Sequence, residues 1–563
     1  MSVILASSPI GPGRPIFEFF TPVMEVIFYS LAAISTLVFL LGVFLKVRKY
    51  WRGKSEMRLD HLPRRLGRAI RLVAQNATVG RRDRYAGVGH FMIMWGFITL
   101  FLGTVILALD YDLIRPIHPD WQFYHGDFYD IYKLVLDTLG SAFLIGLLAM
   151  MIRRGFFRLP KLNYKRVDRP DGSYDRHLFK VGDALFVGGL FLIGLTGYLL
   201  EGARIAHDQP VTMAWSPVGS LVSQFYLWIG LTPPQLVISR VTLWWIHVSL
   251  ALAFVAYIPF SKAVHMLADF VNLTFRDEKA GIALPPIAEE PAPAHPGYRD
   301  IRDFTWKHLL DLDACTKCGR CHEACPARAS GAPLSPRDLI LDLRDCADEQ
   351  LSFKAPLSQR TLPVLPVDHR QNGHNGSSPH HRPVAGGVIK AETLWACTTC
   401  RACVEACPVG IEHVPIIVEM RRSLLDEGEM DPKLQEALTN LSKYGNSFGV
   451  SDRLRAKWTK TLPFKIKDAR KEPVEYLWFV GDFASFDQRV QDITRKVATV
   501  FQQVALDFGI LYEGERNSGN DVRRVGEEGL FQMLAEQNIK SLGKATFKTI
   551  VTTDPHSLNA LRN

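Results

Sequence analysis

Long apolar stretches fill the first half of the chain, and polar residues dominate the second half. Five stretches are apolar over the roughly 20 residues that a helix needs to cross a bilayer. We place these five membrane spans at Met24–Leu45, Gly87–Leu109, Tyr132–Met151, Val181–Leu200 and Val241–Val264. Residues Val211–Gly230 are also apolar, but their serine, glycine and proline content favours a helix lying on the outer membrane surface rather than a sixth span.

The net charge of +9 comes largely from basic residues placed between the apolar stretches. Thirteen lysines and arginines lie between Lys46 and Arg84, and nine lie between Arg153 and Lys180. The positive-inside rule assigns such loops to the cytoplasm. We therefore predict a multi-pass plasma-membrane protein with its N-terminus outside and its second half in the cytoplasm, and no nucleic-acid partner is needed to explain the charge.

Three histidines lie inside or at the edge of the apolar stretches, where ionisable side chains are costly and usually functional. His247 and His265 are 18 residues apart. In one continuous helix they would share a face, about 27 Å apart along the axis. His90 lies near the cytoplasmic end of the second stretch. Because histidine is a usual axial ligand of haem iron, the pattern predicts a haem b held by His90 and His265 on the inner side.

A second haem on the outer side would use His247, which needs a different partner. The second stretch has no histidine at the corresponding depth on the outer side of the membrane, where Leu100 stands. His125 is the candidate partner, with His207 and the weaker His118 as further options in the outer loops. Alternatively, His247 hydrogen-bonds a quinone. The sequence is therefore compatible with either one haem or two.

The sequence WWIHVSLALAFVAYIPFSKAVH, which ends at His265, resembles the fifth helix of the respiratory nitrate reductase gamma subunit family. The resemblance covers about residues 20–275 and implies five spans, two b haems and a quinone site near the outer haem. His90 and His265 match the inner haem pair, and His247 matches one outer ligand. Glu201 and Arg204, at the end of the fourth stretch, would bind a quinone head group or carry protons, or form an interfacial ion pair.

Two copies of the run Cys-x2-Cys-x2-Cys-x3-Cys-Pro begin at Cys315 and Cys397. In this ferredoxin spacing three neighbouring thiolates hold one [4Fe–4S] cluster and the fourth ligates the other cluster. The first cluster is thus assigned to Cys315, Cys318, Cys321 and Cys407, and the second cluster to Cys397, Cys400, Cys403 and Cys325. Disulfides would need an oxidising compartment, and zinc sites rarely repeat this spacing. Cys346, the ninth cysteine, is interpreted as a buried structural thiol.

The predicted fold class is mainly α, with a five-helix transmembrane cytochrome b bundle, a cytoplasmic α-helical ferredoxin-type domain and a C-terminal α/β domain. The predicted units are, in chain order, the cytochrome b unit 1–275, a linker 276–299, the two-cluster domain 300–425, a helical connector 426–474 and the last domain 475–563. Residues 362–387 are rich in Pro, His, Gly and Asn, which favours a disordered insertion over a metal site.

The segments HLLDLDACTKCGRCHEACPA and ETLWACTTCRACVEACPVGIEH resemble the iron–sulfur proteins of the heterodisulfide reductase D type. That group includes relatives that look like electron-transfer-flavoprotein:menaquinone oxidoreductases, in which a cysteine-rich domain with five cysteines follows. Residues 475–563 resemble that cysteine-rich domain in sequence and spacing but contain no cysteine. The five cysteine positions hold Asp482, Asn517, Ser518, Asp554 and Ser557. Oxygen and amide side chains cannot replace soft thiolates, so we predict a degenerate domain that serves for docking or is completed by another subunit.

These features predict a respiratory oxidoreductase that passes electrons between a cytoplasmic donor and a membrane quinone through two [4Fe–4S] clusters and haem b. The resemblance implies electron-transfer flavoprotein as donor and menaquinone as acceptor. No G-x-G-x-x-G fingerprint is found at a strand–helix junction, so a partner, either a flavoprotein or a cysteine-rich iron–sulfur subunit, must bring any two-electron carrier. Two alternatives are a heterodisulfide or thiol/disulfide reductase subunit, and a pure membrane anchor and relay for a separate catalytic subunit.

Overall fold

The computed structural model describes residues 16–118, 121, 123–157, 159–168, 178–287, 295–351 and 383–563. Most of the predicted insertion at 362–387 lies outside the described residues. The described part is mainly helical, and it carries one small parallel sheet near the C-terminus. The predicted fold class is therefore confirmed, and the division into five units stays a prediction.

Ten helices form the described N-terminal half. They are α1 (Pro22–Trp51), α2 (Leu62–Ala74), α3 (Ala77–Gly80), α4 (Arg84–Ala108), α5 (Arg115–Ile117), α6 (Gly126–Phe156), α7 (Leu178–Asp208), α8 (Pro217–Trp228), α9 (Pro233–Tyr257) and α10 (His265–Thr274). A π-helical stretch at Leu109–Ile114 joins α4 to α5. At 12 residues, α8 is too short to cross a bilayer.

Among the described residues, five helical segments are long and apolar enough to cross a membrane. They are Pro22–Trp51, Arg84–Ile117, Gly126–Phe156, Phe179–Asp208 and Pro233–Phe260. The first four predicted spans lie within the first four segments. The apolar surface of these helices stays largely uncovered by protein, as expected where lipid is the solvent. The chain is a membrane protein.

The fifth predicted span, Val241–Val264, is not one continuous helix. Helix α9 ends at Tyr257, two short 3-10 turns follow, and α10 begins only at His265. Pro259 explains the break, because proline has no N–H to donate and its ring clashes with the carbonyl of the residue four positions earlier. The prediction that His247 and His265 share one helical face was therefore wrong.

Helices α4 and α6 pack closely, and this packing fixes the position of His90 on α4. A Cβ atom at Gly96 would lie 2.6 Å from the carbonyl oxygen of Leu139 and 2.6 Å from the Cβ of Phe143. Only glycine permits that approach, in the way that small residues let membrane helices come together. A larger side chain at position 96 would push α4 away from its neighbour.

Eight described helices lie in the part of the chain that is predicted to form the two-cluster domain and the connector. They are α11 (Trp306–Ala314), α12 (Arg320–Ala324), α13 (Pro326–Ala329), α14 (Pro336–Leu351), α15 (Ala391–Trp395), α16 (Ala402–Ala406), α17 (His413–Asp426) and α18 (Pro432–Tyr444). Helices α12 and α16 hold equivalent places in the two cysteine runs and pack against each other. The repeated sequence thus produces a repeated structure.

The last domain is an α/β unit, as predicted. Its elements are β1 (Lys467–Asp468), β2 (Tyr476–Phe479), α19 (Asp482–Phe486), α20 (Gln488–Gln503), β3 (Phe508–Ile510), α21 (Asn520–Val525), α22 (Glu528–Leu542), β4 (Thr549–Thr552) and α23 (Pro555–Arg562). The four strands are parallel in the order β1-β3-β2-β4. Trp478 of β2 is fully buried and packs against Trp458, Phe501 and Phe508.

The two basic loops of the N-terminal half both contact the cluster domain. Arg58 places Nη2 3.0 Å from Oε2 of Glu412, and Arg166 donates from Nη1 to Oδ1 of Asp342 at 2.8 Å. Both arginines are largely buried. The loops that the positive-inside rule assigns to the cytoplasm therefore lie on the same side of the bundle as the cysteine runs.

Candidate cluster and haem sites

The cysteines of the second run lie together with one cysteine of the first run. Cys397, Cys400, Cys403 and Cys325 line a single cavity, which is otherwise bordered mainly by apolar residues and prolines. Three of these cysteines come from one run and the fourth from the other. The cavity therefore brings together the set that the crossover rule assigns to the second cluster.

The other four cysteines of the two runs form a second group. Burial raises the pKa of the Cys407 thiol to about 12, and the neighbouring thiols of Cys318 and Cys315 act in the same direction. Burial likewise raises the pKa of Cys321, and the thiols of Cys318, Cys315 and Cys407 add to this effect more strongly than Cys403 of the other group does. Buried thiols with raised pKa values stay protonated until a metal displaces the protons. Two groups of four thiols fit two [4Fe–4S] clusters.

Left-handed backbone turns bring the thiols of each run together. Positive φ angles occur at Lys317 and Gly319 in the first run, and at Thr399 and Arg401, the equivalent positions, in the second run. Such angles are uncommon for residues other than glycine and are kept where the surrounding structure requires them. The repetition of both turns indicates that the spacing of the cysteines, and not the local side chains, fixes these loops.

The first run contacts the membrane half directly. A Cβ atom at Gly319 would lie 1.8 Å from the carbonyl oxygen of Lys161, so this position accepts only glycine. The adjacent Arg320 donates from Nη1 to the carbonyl of Thr78 at 3.2 Å and from Nη2 to the carbonyl of Val79 at 2.8 Å. Both acceptors belong to α3, so the first run rests on the turn that leads into α4.

Asn76, directly before α3, orients His90. Its amide nitrogen donates to the carbonyl of Gly87 at 2.7 Å. Its amide oxygen, 3.1 Å from Nδ1 of His90, is therefore the acceptor for the imidazole N–H. This hydrogen bond leaves the Nε2 lone pair of His90 available to a metal, which is the usual arrangement around metal-ligating histidines.

His265 shows the same arrangement next to His90. Its Nδ1 lies 2.6 Å from the carbonyl oxygen of Lys262, which can only accept, so Nδ1 carries the proton and Nε2 is again the free ring nitrogen. Burial lowers the pKa of His265 to about 4, and the nearby imidazole of His90 acts in the same direction. Both imidazoles thus have Nδ1 hydrogen-bonded and Nε2 free, and this pair fits the axial ligands of a haem b.

The outer candidates contact neighbouring polar groups and not one another in the described part of the chain. His247 on α9 has Nδ1 3.1 Å from Oγ1 of Thr196 and 3.1 Å from the carbonyl oxygen of Ile193, both on α7. His125 lies at the start of α6, and His207 contacts Asp208 at 2.7 Å. A haem shared by His247 and His125, or a quinone bound at His247, stays a prediction.

Glu201 and Arg204, near the end of α7, form a bidentate ion pair. Arg204 donates from Nη2 at 2.7 Å and from Nε at 3.1 Å to the two carboxylate oxygens of Glu201. Asp137, which was not predicted from the sequence, lies on α6 and accepts the backbone N–H groups of Val218 and Gly219 at 2.9 and 3.0 Å. An acidic residue inside an apolar span was the signal that could have revealed it.

A buried group of His308, Asp311 and Glu412 has the spacing of a metal site. Two cations already neutralise its carboxylates, however. Lys307 lies 2.8 Å from Asp311 and 3.3 Å from Glu412, and Arg58 lies 3.0 Å from Glu412. We interpret this group as an ion network that attaches the cluster domain to the membrane half.

The positions that replace cysteines in the last domain hydrogen-bond to one another. Asp482 accepts from Nδ2 of Asn517 at 2.8 Å and from the buried Arg455 at 2.7 Å. Asp554 accepts the backbone N–H of Ser557 at 3.0 Å. Polar side chains and a guanidinium therefore occupy these positions and hydrogen-bond there without any thiolate.

Comparison with known proteins places these features in a family. A family model described as a 4Fe-4S dicluster domain matches residues 314–411. The EtfAB:quinone oxidoreductase of Syntrophomonas wolfei is 32% identical over 558 residues, which cover 96% of this chain and 74% of that protein. The "Probable iron-sulfur-binding oxidoreductase FadF" of Bacillus subtilis is 34% identical over 508 residues, or 86% of this chain and 68% of that protein. The chain belongs to this family of iron–sulfur-binding oxidoreductases.

A more distant relative supports the second predicted resemblance. The D-type subunit of the dihydromethanophenazine:CoB–CoM heterodisulfide reductase of Methanosarcina barkeri is 27% identical over 261 residues, which cover 45% of this chain and 57% of that protein. No solved structure matches the chain. Family membership confirms that the chain is an iron–sulfur oxidoreductase or a subunit of one, with a domain for two [4Fe–4S] clusters. The ligand of each iron and the haem stay predictions.

Proposed function

We propose that this chain carries electrons from a reduced cytoplasmic flavoprotein, of the electron-transfer flavoprotein type, to a membrane quinone. The observation that carries the proposal is an unbroken set of contacts from the first cysteine run to the predicted haem ligand. Arg320, next to Cys321, binds the α3 turn, and Asn76 at the start of that turn binds His90. The name of the relative from Syntrophomonas wolfei supports the two reaction partners.

The exposure of the cysteines supports an order for the two clusters. Cys400 of the second cluster is exposed, whereas Cys318, at the equivalent position of the first run, is half-buried, and Arg320 of the first run faces the membrane half. The second cluster would therefore receive electrons from the soluble donor. The first cluster would pass them on towards His90 and His265, on the side of the membrane that the basic loops mark as cytoplasmic.

The overall reaction balances with these carriers. A reduced flavin gives up two electrons and two protons, and a quinone takes up two electrons and two protons to become a quinol. The clusters and haem b supply one-electron transfer, and the protein sets their positions and potentials. The chain itself holds the two groups of thiols together and orients His90 and His265 so that Nε2 of each imidazole is free to bind iron.

The quinone would bind at the end of the bundle that carries Glu201 and Arg204. This end also holds the buried carboxylate of Asp137, and ionisable groups at membrane depth commonly serve proton pathways. His247 and His125 remain the candidates for an outer haem or for contact with the quinone. The heterodisulfide alternative gains no support from the last domain, because its five cysteine positions hold oxygen and amide side chains.

Redox measurements on the purified full-length chain in lipid test the proposal. We expect eight non-haem irons for the two clusters and a b-type absorbance that disappears in the double variant His90→Ala/His265→Ala. Reduced electron-transfer flavoprotein should reduce the clusters and the haem, and a soluble quinone analogue should reoxidise them. Clusters without b-type absorbance would refute the haem, and reduced carriers that no quinone analogue reoxidises would favour the bare relay.

A further inference from the structure

Arg421 on α17 is a buried cation beside the second cysteine run. Only 4% of its surface is exposed. Its guanidinium donates to the carbonyl of Leu394 from Nη2 at 2.8 Å and from Nε at 3.1 Å, and also to the carbonyl of Cys397. From Nη1 it donates to the carbonyl of Arg524 at 3.0 Å. Across the described residues, no carboxylate pairs with this side chain.

A buried charge without a counter-charge is costly, and carbonyl groups satisfy hydrogen bonds without neutralising it. The second cluster would be an anionic group beside this cation, because Arg421 donates to the carbonyl of Cys397, one of the predicted ligands. Arg421 interacts electrostatically with the Cys397 thiol. A cluster held by four thiolates carries net negative charge, and reduction makes it more negative. The position of Arg421 is therefore explained by a cluster at Cys397.

Arg524 brings a second cation to the same loop from the last domain. It lies on α21, donates from Nη1 to the carbonyl of Thr399 at 3.3 Å, and from Nη2 to the carbonyl of Gly281 at 3.0 Å. Thr399 stands between Cys397 and Cys400 in the second run. Arg524 thus fastens the last domain to the loop that carries two of the predicted ligands, far in sequence from them.

We propose that Arg421 and Arg524 raise the reduction potential of the second cluster, and that the last domain, having lost its own thiolates, is retained in part to supply Arg524. This inference rests on the proposed function, since it requires the second cluster. A fixed positive charge favours the more negative, reduced state of a nearby cluster, and net charge and hydrogen bonds near the sulfurs are the protein's means of setting such potentials. A higher potential at the second cluster helps it to accept electrons from the soluble donor.

The test is a redox titration of the purified full-length protein, followed by electron paramagnetic resonance. We expect Arg421→Gln to weaken reduction of the second cluster at least tenfold, which for one electron is about 59 mV towards lower potential. Arg524→Gln should lower it by a smaller amount, and Arg421→Lys should restore most of the potential because it keeps the charge. The potentials of the first cluster and of the haem should not move. A Cys400→Ser variant identifies which signal belongs to the second cluster.

Arg489→Gln is the matched control, because it removes one positive charge from an arginine of the last domain that is 91% exposed. A shift in Arg421→Gln and Arg524→Gln no larger than in this control overturns the inference. If Arg421→Gln fails to assemble the cluster, Arg524→Gln and Arg421→Lys still decide the question. A wild-type protein that lacks two cluster signals would refute the proposed function, whereas two signals with unchanged potentials would refute only the role of the arginines.

Discussion

The ammonium nitrogen of Lys49 lies 2.6 Å from the carboxylate of Asp313, and both side chains are almost fully buried. Lys49 belongs to the last turn of α1, and Asp313 stands two residues before Cys315. Asp348 on α14 accepts from the same ammonium at 2.7 Å. Although burial opposes it, Lys46 and Lys49 hold the pKa of Asp313 below its usual range. The first membrane helix is thereby fixed to the start of the first cysteine run.

We expect Lys49→Met to destabilise the protein, because it removes the fully buried one of the two lysines that neutralise Asp313 and leaves only Lys46. Removing one partner of a buried ion pair lowers the free energy of unfolding by about 3–5 kcal/mol. The thermal midpoint followed by cluster absorbance should fall clearly. Lys54→Met is the control, since Lys54 is half exposed in its pair with Asp303 and such pairs contribute about 0–1 kcal/mol. Equal losses in both variants would contradict a special role for Lys49.

Asn76 should be needed for haem binding even though it touches no metal. Asn76→Leu removes the acceptor for Nδ1 of His90, and loss of such a partner typically weakens metal binding about 10–100-fold. The haem-to-protein ratio after purification and haem loss to apomyoglobin measure the effect. Thr78→Ala is the control, because Thr78 contributes its backbone carbonyl to Arg320. Normal haem retention in Asn76→Leu would speak against His90 as a ligand.

The sequence was most informative about the iron–sulfur ligands, because the intervals between the cysteines determine which thiols can bind one cluster. The two cysteine runs predict both thiol groups, because four cysteines at fixed short intervals leave the loop little freedom. His265 was predicted to lie on the same continuous helix as His247. The apolar pattern continues across Pro259, so the sequence did not reveal that α9 ends before it. The pairs Lys49–Asp313 and Asn76–His90 depend on tertiary contacts, and no local pattern signals which distant side chain a buried lysine or imidazole will meet.

His556 on α23 gives the last domain a pH dependence. Its Nδ1 lies 2.7 Å from the carboxylate of Asp521 on α21, and this hydrogen bond raises the pKa of His556 above its usual value. A raised pKa means that the stabilisation is complete below about pH 6.5, the unfolded value, and is lost as the pH rises through the folded pKa. Because both side chains are about half exposed, we expect at most about 1 kcal/mol.

Denaturant unfolding of the chain at several pH values, followed by fluorescence of the last domain, measures this dependence. The midpoint should fall slightly between pH 6 and pH 8 in the wild type, and the His556→Gln variant should show a smaller fall. Arg489→Gln, on the exposed face of α20, should keep the wild-type profile. A midpoint that rises with pH over this range would contradict the sign derived from the raised pKa.

The crossover of the fourth cysteines gives the most specific prediction. Cys325 lines the cavity of the second run, and Cys407 interacts with the thiols of the first run. We therefore expect Cys325→Ser to alter the same paramagnetic signal as Cys400→Ser, although Cys325 lies in the other run. Cys407→Ser should alter the other signal. A serine oxygen is a poor replacement for a soft thiolate on iron, so each change should shift or remove one cluster.

Cys346→Ser is the matched control, because Cys346 is buried and lies outside both thiol groups of the described structure. It should leave both signals and the iron content unchanged. If Cys325→Ser and Cys318→Ser altered the same signal, each run would hold its own cluster and the crossover would be wrong. The order of the two clusters would not change, since it depends on the exposure of Cys400 and on the contact of Arg320 with the α3 turn.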